Sequence, residues 1–403
     1  STTNNEDKKT LTVAWWGNQI RNDRTLAVLD LYTENNPNVK FDGQFSEWGD
    51  YWNKLAIASA GRSLPDIVQM DYRYVEQYTS SDLLVDLKPY IDDGTLDVSG
   101  IDQGILNSGS SDNGVYAICL GVNAPALLYN KTLLDANGIQ VKDNMTMDEF
   151  IELSREIYEK TGYKTDVAYG NGDVFLEYFM RGFNIPLYKD GKLGVESADD
   201  LKPFFDIYEM GIKEGWHIPP IVFAEAAVNS VEQAPLIYGS SPETMSWCAF
   251  RFSNQLTATI NAAPEGMEIG VTTWPSNDPK ASNYLKPSQF FSVTADSKNP
   301  EEAAKVLNFF TNSVEANEVL LGERGVPAAA PVATAIAPKL SATETIVVEY
   351  INKVVSPNSS TINPPAPDTA SGVYDLMNKI EERLCYDQIT AEEAAKELFE
   401  QGN

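Results

Sequence analysis

The sequence predicts a two-lobe α/β protein in which each lobe is a sheet flanked by helices. Three observations lead there. The chain has 403 residues, 43% of them apolar and 10% aromatic, which suits two domains, or three, at about 150 residues each with real cores. Its first third alternates strand-like and helix-like patterns, the signature of a parallel sheet with helices on its faces. Residues 116–131, YAICLGVNAPALLYNK, then join an apolar strand to a fresh one through a bend at Gly121, Asn123 and Pro125. Such a stretch lets a chain leave one globular unit and enter another.

Taken in order, residues 11–16 are a strand ending at Gly17. Residues 24–35 carry Leu26, Leu29 and Tyr32 at helical spacing before the turn Asn36-Pro37-Asn38. Residues 39–45 alternate on a period of two, residues 50–60 read as a helix and 67–70 as a buried strand. Past the bend, Thr146 and Glu149 form a capping box for a helix through Phe150, Leu153 and Ile157. Helices follow over 174–183, 201–214 and around 225–233, the last leading into strand-like APLIYG, residues 234–239. Residues 267–274 are a strand, 301–310 a helix, and 373–384 and 391–400 the closing helices. NPPAPDTASG, residues 363–372, is a stiff loop, because proline fixes φ and removes donors.

The bend resembles a family. Extracytoplasmic solute-binding proteins of ABC importers, in the carbohydrate-capturing class (family 1, similar to maltose-binding proteins), carry a segment like 116–131 at their first interdomain crossing. Residues 54–71 (KLAIASAGRSLPDIVQMD), 83–92 (LLVDLKPYID), 297–320 (SKNPEEAAKVLNFFTNSVEANEVL) and 324–328 (RGVPA) are similar to further family signatures in the expected order. The resemblance implies a two-lobe periplasmic-binding-protein fold with three interdomain crossings near 117–123, 287–294 and 325–330. It divides the chain into a flexible tether at 1–10, lobe 1 at 11–120 and 294–325, and lobe 2 at 121–293 and 326–403. It implies capture of a solute by hinge closure, delivery to permease subunits in the membrane, no cofactor, and a monomer. It also implies a lipidated cysteine upstream of residue 1, holding the protein on the outer face of a Gram-positive membrane.

Composition narrows the function. Acidic residues number 58 against 30 basic, a formal net charge of −28, which repels nucleic acid phosphates and anionic membrane surfaces. The charge is spread along the chain, so it reads as a solubility device before a cation or polyamine site. The three cysteines, Cys119, Cys248 and Cys385, sit in apolar settings as small buried hydrophobes. His217 is the single histidine, expected at a helix end or the surface. No nucleophile elbow, phosphate loop, dinucleotide fingerprint or zinc motif is present. Glu47 and Asp71 are the carboxylate pair to test for glycoside hydrolysis.

The positive signal is aromatic. In a parallel sheet, ligands bind beyond the carboxyl ends of the strands, and here those ends offer Trp15 and Trp16, then Glu47 and Trp48 with Tyr51 and Trp52 nearby, then Asp71, Tyr72 and Tyr74. A sugar ring has a face of C–H groups that suits an aromatic plane and a rim of hydroxyls that suits carboxylates, amides and guanidinium groups. Adjacent strand residues point oppositely, so one of Trp15 and Trp16 belongs to the core. Asp71 suits a helix N-cap as well as a ligand hydroxyl. Asn123 serves as a turn or a ligand donor. Residues 245–256, with Trp247 and Phe252, resemble the family segment whose aromatic residue faces ligand from lobe 2. Tyr178, Trp274 and Arg324 complete the candidates, Arg324 being suited also to interlobe salt bridging. The function expected is capture of a neutral oligosaccharide, with a secreted glycoside hydrolase, or the same fold binding a polyamine, as the alternatives.

Overall fold

The computed structural model describes residues 8–112, 114–226 and 230–402. Most of the tether, residues 1–7, and the centre of the helix expected around 225–233 lie outside them. The chain forms two compact units. Unit 1 comprises the residues up to Asn123 with Leu285–Val348, and unit 2 comprises Ala124–Tyr284 with the residues from Glu349 onward.

In unit 1, β1 (Lys9–Trp16) lies between β2 (Val39–Ser46) and β3 (Ile67–Met70) and is parallel to both. Lys9 and Thr10, placed in the tether by sequence, are the first residues of β1. Helix α1 (Gln19–Asn35) starts at Asn18, whose side chain accepts the Arg21 N–H at 3.1 Å. Two more helices, α2 (Trp48–Ala60) and α3 (Tyr72–Ser80), follow β2 and β3 directly. The sheet is not parallel throughout. Lys286–Val293 runs antiparallel between β3 and Ile118–Asn123, and Val326–Pro327 adds an antiparallel edge. These strands come from segments where the chain returns to the unit, which the alternation of the first third does not describe.

The third passage between units falls after Val348, not near 325–330. Val326 and Pro327 pair with Val122 and Gly121, and Ile101 bridges Ala329, so this stretch stays with unit 1. The second passage falls at Leu285, and the strand that follows it belongs to unit 1.

Unit 2 is built on a three-stranded antiparallel sheet with Pro125–Asn130 at its centre, Cys248–Phe252 and Ile269–Thr272 beside it. Helices Met147–Thr161, Gly172–Arg181, Lys202–Glu214, Ala370–Cys385 and Ala391–Gln401 share an apolar core with it, including Phe150, Phe175, Phe204, Trp247 and Trp274. The capping box at Thr146 forms, and Gly162 at φ +77° closes that helix. Residues 363–369 run without helix or strand, as proline requires, while Ala370, Ser371 and Gly372, expected in the same loop, open helix Ala370–Cys385. One expectation fails here: residues 234–239 form turns in place of a strand, with the Ile237 N–H donating to the Ala234 carbonyl at 3.0 Å. Pro235 within that run removes a strand donor.

All three cysteines are free and buried. His217, expected at a helix end or the surface, lies just past the end of Lys202–Glu214 and is buried, with Nδ1 2.8 Å from the Ile218 carbonyl oxygen. Burial pulls its pKa down to about 4, so the ring is neutral at physiological pH. Among the described residues, no group of three acidic, histidine or cysteine side chains could hold a metal ion, and no helix is long and apolar enough to cross a membrane.

Candidate functional site

Because β1, β2 and β3 are parallel, their carboxyl ends share one edge of unit 1, and the residues following each strand converge there. Trp16, the last residue of β1, and Trp48, the first of α2, meet edge to face with centroids 4.9 Å apart and planes at 89°. Trp52, one turn further along α2, lies 5.6 Å from Trp16 and 5.4 Å from Trp48. Tyr74, from α3, packs on Trp52 at 4.4 Å and lies 6.3 Å from Trp48. Trp16, Trp48, Trp52 and Tyr74 are all half-buried, so the cluster is an aromatic shelf that keeps part of its surface accessible.

Polar groups surround the shelf. Asp71 caps α3 by accepting the Arg73 N–H at 3.0 Å, and the same oxygen accepts Arg73 Nε at 3.1 Å. This fold-back holds the Arg73 guanidinium 5.2 Å from the Trp48 ring and 6.0 Å from that of Tyr74. Glu47 stands exposed at the N-cap of α2, its side chain making no capping bond. Tyr72 sits beside Phe290 at 6.5 Å. The shelf thus offers indole and phenol faces with two carboxylates and a guanidinium at its rim.

The strand end beneath is held by buried groups. Gln69 of β3 donates to the Trp16 carbonyl at 3.0 Å, and Arg324 donates to Gln69 Oε1 and, at 2.9 Å, to Thr25. Arg21 reaches the same Trp16 carbonyl at 3.2 Å while paired with Glu323 at 3.0 Å. An added Cβ at Gly17 would meet the Arg21 side chain at 2.4 Å, so Gly17 leaves room for it to lie there. Arg324 is therefore a positioning residue of unit 1: only 2% exposed, it acts through Gln69 on the Trp16 carbonyl. Burial first, then the like charge of Arg21, lowers its pKa to about 9, and it keeps its proton at neutral pH.

The other candidates divide by burial. Trp15 is fully enclosed, stacked on Phe45 at 5.4 Å with its indole N–H on Asn22 at 2.9 Å. Trp247 is likewise enclosed in unit 2 and donates to Thr165 at 2.7 Å. Tyr178 and Trp274 pack together in that core at 5.2 Å, and the Tyr178 hydroxyl donates to the Trp274 carbonyl at 3.0 Å. These four, with Arg324, are buried in the packing of their own units. Phe252, half-buried at the end of its strand, and Asn123, half-buried at the end of Ile118–Asn123, stay at the surface of their own units. Sequence selection passed over Trp52, although its place four residues after Trp48 puts both indoles on one helix face.

The family model described as bacterial extracellular solute-binding protein matches residues 19–316. The chain belongs to that family. As an extracellular solute-binding protein it takes a ligand and has an ABC transporter as partner, and its family and fold are those of binders and not of enzymes. Solved structures share the fold over nearly the whole length. A family 1 extracellular solute-binding protein from Alicyclobacillus acidocaldarius is 23% identical, with TM-score 0.90 and 98% of each chain covered. A periplasmic oligogalacturonide-binding protein from Yersinia enterocolitica is 20% identical, with TM-score 0.79 and 98% of each chain covered. A sugar transporter from Rhizobium etli in an open conformation is 18% identical, with TM-score 0.72, covering 98% of this chain and 99% of that one.

Proposed function

We propose that this solute-binding protein captures a neutral oligosaccharide on the aromatic shelf of unit 1 and delivers it, as a monomer, to the permease of an ABC importer. The observation carrying the proposal is the group of four half-buried rings, Trp16, Trp48, Trp52 and Tyr74, rimmed by Glu47, Asp71 and Arg73. An indole covering about 100 Å² of apolar sugar face gains on the order of 2.5 kcal/mol before ordering costs, and the rim groups replace water on the hydroxyls. Two of the structural neighbours bear names that speak of sugars. Oligogalacturonides are acidic, and here a net charge of −28 and a shelf with a single guanidinium, itself held by Asp71, favour an uncharged sugar. Asn123, in the same unit as the shelf, is carried in the proposal as a further ligand contact.

The test is tryptophan fluorescence titrated with a panel of neutral oligosaccharides, alongside a sugar-release assay. Saturable binding with micromolar Kd, roughly 8 kcal/mol, and no product is the expected result, with Trp48→Ala weakening it at least tenfold. Silence across the panel would overturn the choice of ligand, and release of product would replace capture with hydrolysis.

A further inference from the structure

We propose that unit 2 has a ligand site of its own, for a neutral vicinal diol of the kind a sugar ring presents, between the guanidinium of Arg251 and the carboxylate of Asp166. Arg251 belongs to the strand Cys248–Phe252, and Asp166 lies alongside that strand, its N–H donating to Ser246 Oγ at 2.9 Å and its carbonyl 3.7 Å from Cys248 Sγ. Arg251 is paired across the ladder with Ala126 and follows Ala249 on its own face of the strand, so small residues flank its stem. Arg251 is 8% exposed and Asp166 9%.

Both side chains are short of partners. Among the described residues, the Arg251 guanidinium meets no acceptor at hydrogen-bond distance and no carboxylate at ion-pair distance. Asp166 Oδ1 accepts the Tyr169 N–H at 3.1 Å, and Oδ2 meets no donor. None of these idle atoms is sealed in: each keeps accessible surface, in contrast to Trp274 Nε1 of the same unit, which is enclosed without a partner. The two charges act on each other across the gap. Burial raises the Asp166 pKa to about 6, against the Tyr169 N–H and the charge of Arg251, and burial lowers that of Arg251 against the charge of Asp166. At pH 8 both are therefore ionised. Charges withdrawn from water need hydrogen bonds, and two neighbouring hydroxyls supply them in both senses. Their oxygens accept from the guanidinium while one O–H donates to Asp166 Oδ2. Because the two protein charges cancel, a neutral ligand keeps the balance, whereas a zwitterion brings two more ions out of water at a greater desolvation cost.

The experiment is isothermal titration calorimetry at pH 8 of the full chain carrying Trp48→Ala, which impairs the shelf of unit 1, with the methyl glycosides of glucose, galactose, mannose and xylose and with glycine. Saturable binding of at least one glycoside and none of glycine is expected. Added to that background, Arg251→Met keeps the stem and removes the donors, and Asp166→Asn keeps the acceptor for Tyr169 and turns the idle oxygen into a donor. Each lowers the affinity for the bound glycoside at least tenfold. Thermal unfolding without ligand separates this role from a structural one: the double variant Arg251→Met/Asp166→Asn, free of both unpaired charges, melts at or above the parent Tm. No heat from any glycoside, glycine binding as tightly as the glycosides, unchanged affinity in both single variants, or a Tm lowered by the double variant overturns the proposal. The site does not rest on the shelf, so the oligosaccharide titrations of unit 1 fail or succeed separately.

Discussion

Trp15 and Trp16 are chain neighbours with opposite fates. Strand geometry turns successive side chains to opposite faces; Trp15 enters the core against Phe45 and Trp16 joins the shelf. Trp15→Ala removes a buried indole and strands Asn22, an expected loss of about 3–5 kcal/mol of stability. Trp16→Ala leaves the core intact and lowers oligosaccharide affinity on the order of tenfold to a hundredfold, from the sugar face it no longer covers. Chemical denaturation and fluorescence titration of both variants check the split, and a Trp16→Ala protein that binds normally would remove the shelf from the site. This much was legible from alternation, as was the capping role of Asp71 from its position between strand and helix. The burial of Trp247 and Trp274 was not, because it depends on helices such as Gly172–Arg181 that reach those rings only through tertiary packing.

At the scale of elements, the returning strands of unit 1 depend on a close backbone approach. A Cβ added to Gly121 would lie 1.9 Å from the Arg324 carbonyl oxygen, and Ser288 donates to the Gly121 carbonyl at 2.6 Å from the neighbouring strand. Backbone cannot yield as a flexible side chain does, so Gly121→Ala pushes Val326–Pro327 away from Ile118–Asn123 and shifts Arg324 off Gln69. The expected cost is about 1–3 kcal/mol or more, with weakened ligand binding because the Trp16 carbonyl loses its support. Thermal unfolding of Gly121→Ala against Val122→Ala, a change that removes atoms from the same strand without adding any, separates the clash from ordinary packing loss. An unchanged Tm for Gly121→Ala would show the approach to be loose. The strands β1, β2 and β3 and the two helices between them were legible from period and caps, β3 to the residue. Val326–Pro327 was not, since two residues carry no period, and with it went the position of the third passage between units.

At the scale of the molecule, the response to pH reflects groups that burial has shifted in opposite directions. Burial lowers the pKa of His217 from 6.5 to about 4, so the stability it contributes is present above pH 6.5 and lost as pH falls through 4. Asp166 behaves conversely: burial raises its pKa from 3.8 to about 6, and its contribution is present below 3.8 and lost as pH rises through 6. Each shift amounts to about 3 kcal/mol, and over pH 4–6 the two nearly offset each other. Glu381 then decides the slope. Burial, with the nearby charges of Asp166 and Asp173, raises its pKa well above the usual carboxylate range, so its contribution is full below pH 4.5 and falls away as pH rises beyond it. Acidification also relieves the mutual repulsion of a chain with net charge −28. The expected outcome is a higher Tm at pH 5.5 than at pH 8, with Glu381→Gln raising Tm most at pH 8 and flattening the dependence. Scanning calorimetry at both values decides it: a wild-type Tm that falls on acidification places the balance with His217, and a Glu381→Gln slope equal to wild type means that the Glu381 carboxylate is not what the protein senses.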